Sequence, residues 1–89
     1  MDISIDDITK AFDHLQKKSK TREEVSDWAL KLMRAEDAGD LRYMPSDQEA
    51  KIWKAIIWLT GIDLKAESDS YFDTDETIQE YRDRLFTQT

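Results

Sequence analysis

No cysteine occurs in the 89-residue chain, and only one proline and two glycines interrupt it. The first absence excludes disulfides and thiolate metal sites, and it fits a reducing compartment. The second leaves few forced stops, so long regular elements are expected. The longest uninterrupted apolar run, "AIIWL" at residues 55–59, is far too short to cross a bilayer. The start, "MDISIDDITK", is acidic and lacks the basic-then-apolar order of a signal peptide. A soluble cytoplasmic protein with no membrane partner is the expectation. A chain of this length builds one domain, residues 1–89.

Positive charge is scarce in the second half. Residues 1–34 balance seven acids with seven bases, residues 35–49 set five acids against Arg42, and residues 61–89 set eight acids against three bases. The net charge is −7. Phosphate binding needs basic surface, so this balance argues against nucleic acid as a direct ligand. It favours solubility or a basic protein partner.

What is present is helical periodicity. Ile5, Ile8, Phe12 and Leu15 trace one face, and Val25, Trp28, Ala29 and Leu32 a second. Ile52, Ala55, Ile56 and Leu59 trace a third, and Ile78, Tyr81 and Leu85 a fourth. Each face has a start signal. Ser4 with Asp7 and Thr21 with Glu24 form capping boxes, Ser46 with Glu49 repeats that logic, and Asp73 or Thr74 caps the last helix. Gly39 supplies a left-handed stop, and Gly61 sits where a second is expected, with Ile62 folding back onto Ile57. No convincing strand is visible. The expected architecture is all-α, a compact four-helix domain with helices at about 5–18, 22–36, 47–60 and 74–86.

Trp58 stands out. At about 100° per residue, Trp53 borders the apolar face of its helix while Trp58 lands opposite, between Lys51 and Lys54. It either packs under the fourth helix or forms an exposed binding anchor, a role in which tryptophan is enriched.

Motifs of chemistry are missing. No nucleophile elbow, P-loop, Rossmann glycine pattern or zinc spacing occurs, so no enzyme, cofactor or metal site is expected. "DSYFDTDETIQE", residues 69–80, has the length of a calcium loop, but Thr74 stands where the sharp turn needs glycine and Tyr71 where a ligand is needed. His14, the single histidine, reads as a surface residue. Lys17, Lys18, Lys20 and Arg22 cluster at the first helix–helix turn. Without aromatic interleaving they are a weak nucleic-acid signal, and they equally complement the negative end of the first helix.

At "DLRYMP" the chain resembles the colicin nuclease immunity proteins, which are small, acidic and four-helical with an Asp-Leu-x-Tyr-x-Pro stretch after the second helix. Asp40, Leu41, Tyr43 and Pro45 carry the likeness. The resemblance implies an immunity protein, a toxin inhibitor that binds a basic bacterial nuclease stoichiometrically, and only Asp40, Leu41 and Tyr43 inherit a site from it. Position and charge add Met44, Trp58, Tyr71 and Phe72 as anchors, with Asp69, Asp73, Asp75, Glu76 and Glu80 as a steering rim. An acidic regulatory adaptor binding a host protein and a DNA mimic are the alternatives.

Overall fold

The computed structural model describes residues 1–67, 70, 71 and 73–87. Four helices dominate: α1 (Ile5–Lys17), α2 (Arg22–Asp37), α3 (Glu49–Thr60) and α4 (Asp75–Thr87). Four short strands join them: β1 (Asp2–Ser4), β2 (Arg42–Met44), β3 (Lys65–Glu67) and β4 (Ser70–Tyr71). β1 and β2 pair in parallel, with Ile3 opposite Tyr43, and β3 and β4 pair antiparallel. The fold is thus mainly helical, and the all-α expectation is corrected. Two or three residues are too few to show an alternating pattern, so these strands leave no periodic trace.

The first two helices begin as their residues dictate. Ser4 Oγ accepts from the Asp7 N–H at 3.1 Å while Asp7 accepts from the Ser4 N–H at 3.0 Å. Thr21 and Glu24 repeat the exchange at 3.1 and 3.4 Å. Thr74 caps α4, accepting from the Thr77 N–H at 3.2 Å. Ser46 makes no cap. A 3-10 turn, Ser46–Gln48, precedes α3, and the Glu49 N–H bonds the Ser46 carbonyl, so a backbone acceptor serves the donor the hydroxyl was expected to satisfy.

Gly39 has φ +74°, and with Asp40 it closes α2: the Gly39 N–H bonds Glu36 O and the Asp40 N–H bonds Ala35 O. Lys18 ends α1 the same way at φ 57°, with bonds back to Leu15 and His14. Gly61 departs from expectation at φ −102°. Three-residue backbone bonds, Gly61 to Trp58 and Ile62 to Leu59, tighten the end of α3, so no left-handed residue is needed. Ile62 is fully buried in the core while Ile57 stays 46% exposed.

The core lies where the four apolar faces meet. Ile8, Phe12, Ile52, Ile56, Leu59 and Ile62 have no exposed surface. α2 and α3 form the most extensive helix pair, pinned by the Ser26 hydroxyl donating to Thr60 O at 2.7 Å. α1 packs against α2, α3 and α4. The open question about Trp58 resolves toward packing. Its indole stacks on the Tyr81 ring at 4.2 Å and 4°, and on Phe12 at 5.9 Å. Tyr81 donates its hydroxyl proton to Lys54 O at 3.1 Å, locking α4 over α3.

Candidate functional site

The basic residues of the α1–α2 turn divide into two groups. Arg22, whose side chain is only 13% exposed, turns inward. Its guanidinium donates to the carbonyls of Ile62 and Asp73 and to Asp75 Oδ1, and lies 4.3 Å from the centre of the Tyr71 ring. Lys18 pairs with Asp75 at 3.2 Å. These two cations hold the β3–β4 hairpin and the start of α4 against α2. Lys17 and Lys20 are exposed and form no ion pair among the described residues.

Between α1 and α2 runs a groove of about 180 Å³ floored by Ala11 and Val25. Lys10, His14 and Lys20 rim it, and the half-buried indole of Trp28 lines it. Two carboxylates also reach it, Asp7 and Glu24. Each accepts a backbone N–H through one oxygen as a capping-box partner, and both keep their negative charge beside the lysines. Lys10 forms no ion pair among the described residues, and His14 Nδ1 sits 2.7 Å from Ser19 Oγ. Helix geometry separates the two sides of α1. Asp13 and Gln16 face α4, pairing with Arg82, while Lys10 and His14 face α2. Lys31 is exposed one turn beyond Trp28.

The residues expected to form an acidic and aromatic surface are scattered. Asp40 is exposed, and its carbonyl accepts from the N-terminal ammonium at 2.7 Å. Leu41 packs on the core, Tyr43 is buried at 8% exposure, and Met44 is exposed. Trp58 lies under α4, stacked on Tyr81. Tyr71, Asp73 and Asp75 come together around Arg22, while Glu76 and Glu80 stand exposed on α4. Asp69 and Phe72 lie outside the described residues. Sequence reasoning placed Trp28 in the inward stripe and singled out neither Lys10 nor Lys31. The available signal was the lysine cluster at the turn, whose neighbours across the groove appear only when α1 and α2 pack.

All three tyrosines hold their protons more tightly than a free phenol. Burial comes first for Tyr43, helped by its 3.0 Å bond to the Glu36 carboxylate, and burial likewise raises Tyr81. Tyr71 is raised chiefly by donating to Glu23 at 2.7 Å, and that bond holds Glu23 below the usual carboxylate range. A raised folded-state value means stability that is intact below the unfolded phenol's value, about 10, and lost as pH climbs beyond it. Thermal melts should therefore hold steady to about pH 9.5 and fall above it, less steeply in Tyr43→Phe. Tyrosinate absorbance that titrates in the native protein as in free tyrosine would refute this.

The chain matches the family described as YxzC DNA-binding protein across residues 3–84, and it belongs to that family. It is 36% identical over 61 residues to the uncharacterized protein YxzC of Bacillus subtilis (strain 168), an alignment covering 68% of this chain and 44% of that protein. The matched stretch thus spans less than half the length of that relative. No solved structure matches. Family membership overturns the immunity-protein reading, the toxin nuclease as partner and the exclusion of nucleic acid. The Asp-Leu-x-Tyr-x-Pro likeness has local causes here: Asp40 completes a helix stop, and Tyr43 is a buried strand residue. Net charge misled for a different reason. Screening reaches only about 8 Å at physiological salt, whereas the molecule measures 37 × 28 × 20 Å, so the overall −7 does not set the local field beside every lysine. Among the described residues, no helix is long and apolar enough to cross a membrane.

Proposed function

We propose that this chain binds DNA, laying the α1–α2 side of the molecule on the phosphate backbone. The observation that carries the reading is the family match across residues 3–84, in a family described as DNA-binding. The placement of Lys10, Lys17, Lys20 and Lys31 supports it: they share this side, and none is neutralised by an ion pair among the described residues. Arg22 and Lys18 serve the fold instead.

Four lysines set a modest electrostatic contribution. Each neutralised phosphate contributes about 0.9 to the logarithmic salt slope, so affinity for a short duplex should fall with a slope of about −3 to −4. Replacing Lys17 and Lys20 together with glutamate should flatten that slope by about two and weaken binding at least about tenfold at low salt. Helical circular dichroism should not change, because both side chains are exposed. Fluorescence anisotropy of a labelled duplex from about 25 to 200 mM salt measures this. No binding at the lowest salt, or full binding by the charge-reversed protein, would defeat the proposal.

A further inference from the structure

We infer that Ser19 is a phosphorylation site that releases the protein from DNA, its phosphate offsetting the charge of Lys17 and Lys20. This rests on the DNA-binding reading and adds a means of control to it.

Access comes first. Ser19 lies in the irregular link between α1 and α2, and every residue from Lys17 to Lys20 is exposed. An enzyme reaches such a link without opening a helix. The hydroxyl also has no duty to the backbone. Ser4, Thr21 and Thr74 cap helices, and Thr9, Ser26 and Thr60 donate to carbonyls. Ser19 Oγ instead meets the His14 ring, at 2.7 Å. Charge decides the consequence. Ser19 alone among the serines has a lysine on both sides in the chain. Consecutive Cα atoms are about 3.8 Å apart, so the backbones of Lys17, Lys18 and Lys20 lie within one screening length of Ser19, about 8 Å. A phosphoserine carries about −1.5 to −2 charges at neutral pH. That offsets Lys17 and Lys20, which form no ion pair among the described residues. The fold tolerates the change, because Ser19 follows the negative end of α1 and precedes the positive end of α2, and the two helix fields oppose. In the transfer, Ser19 Oγ attacks the γ-phosphorus of a nucleoside triphosphate held by a protein kinase. The new O–P bond forms as the bond to the bridging oxygen breaks. The nucleoside diphosphate leaves with that electron pair, and the hydroxyl proton passes to a carboxylate of the kinase.

The test has two arms. In the first, the purified chain is incubated with ATP and an extract of the cells it comes from, and mass spectrometry locates the phosphate. It should lie on Ser19 and be lost from that peptide in Ser19→Ala. In the second, phosphoserine is installed at position 19 during synthesis, and anisotropy of a labelled duplex is followed from about 25 to 200 mM salt. The salt slope should flatten by about 1.4–1.8, and affinity at the lowest salt should fall at least about tenfold. Phosphatase treatment should restore both. Ser19→Asp, with a single charge, should flatten the slope by about one, and Ser19→Ala should bind as the unmodified chain does.

Each other outcome is decisive. Phosphate absent from Ser19, or carried only by other residues, overturns the site. Undiminished duplex binding by the phosphoserine protein overturns the switch and leaves the DNA reading standing. Phosphate on Ser19 with no duplex binding by either form upholds the site and overturns the DNA reading.

Discussion

Phe12→Ala is expected to cost the protein about 3–5 kcal/mol of folding stability. Phe12 has no exposed surface and is the centre of an aromatic cluster. Trp58 and Tyr81 stack near it at 5.9 and 6.1 Å, and Phe86 meets it edge-on at 6.3 Å. Removing the ring leaves a cavity among large, rigid neighbours from two other helices, α3 and α4, which cannot all collapse into it. An 89-residue domain has about 4–13 kcal/mol of stability in total, so the loss is a large fraction of the whole. In urea, where small domains lose about 1–3 kcal/mol per molar, the midpoint should drop by about 1–5 M. Near-ultraviolet circular dichroism should weaken as the Trp58–Tyr81 stack loosens. A midpoint shift below about 0.3 M would show that this cluster does not hold the helices together.

Arg22→Ala should be the second most damaging change, at about 2–3 kcal/mol. Most of that does not come from the ion pair, because Asp75 is 67% exposed and water screens it. It comes from the carbonyls of Ile62 and Asp73, which would lose a charged donor, and from the Tyr71 ring, which would lose its cation. Lysine should not rescue the defect. A single ammonium cannot replace a planar fork that reaches three acceptors at once. The damage should be local first: hydrogen exchange should accelerate in β3, β4 and the first turn of α4 before α2 and α3 respond. DNA affinity per folded molecule should stay near wild type. A loss exceeding that of the Lys17 and Lys20 changes would instead place Arg22 in the interface.

The helices were legible from the residues because their causes are local. Ser4 with Asp7 and Thr21 with Glu24 lie one turn apart, and the apolar spacing from Ile5 to Leu15 is a property of a single helix. Gly39 is readable for the same reason, since a left-handed stop is decided by one backbone and one missing side chain. The short strands were not legible. β1 exists because β2 lies beside it, and nothing within Asp2–Ser4 announces a partner at Arg42–Met44.

The candidate site depended still more on packing. Lys17, Lys18, Lys20 and Arg22 look equivalent as a string, yet Arg22 turns inward and Lys18 is matched by Asp75, a residue far along the chain. Trp58 sits opposite the apolar face of its own helix, but α4 covers it through Tyr81. Trp28 belongs to an inward stripe, but it also borders a groove that forms only when α1 and α2 meet. Residues near one another along the chain impose caps, periods and stops, and these can be read before anything folds. Which charges remain free, and which rings stay accessible, depends on neighbours brought from distant positions, so only the packed molecule settles it.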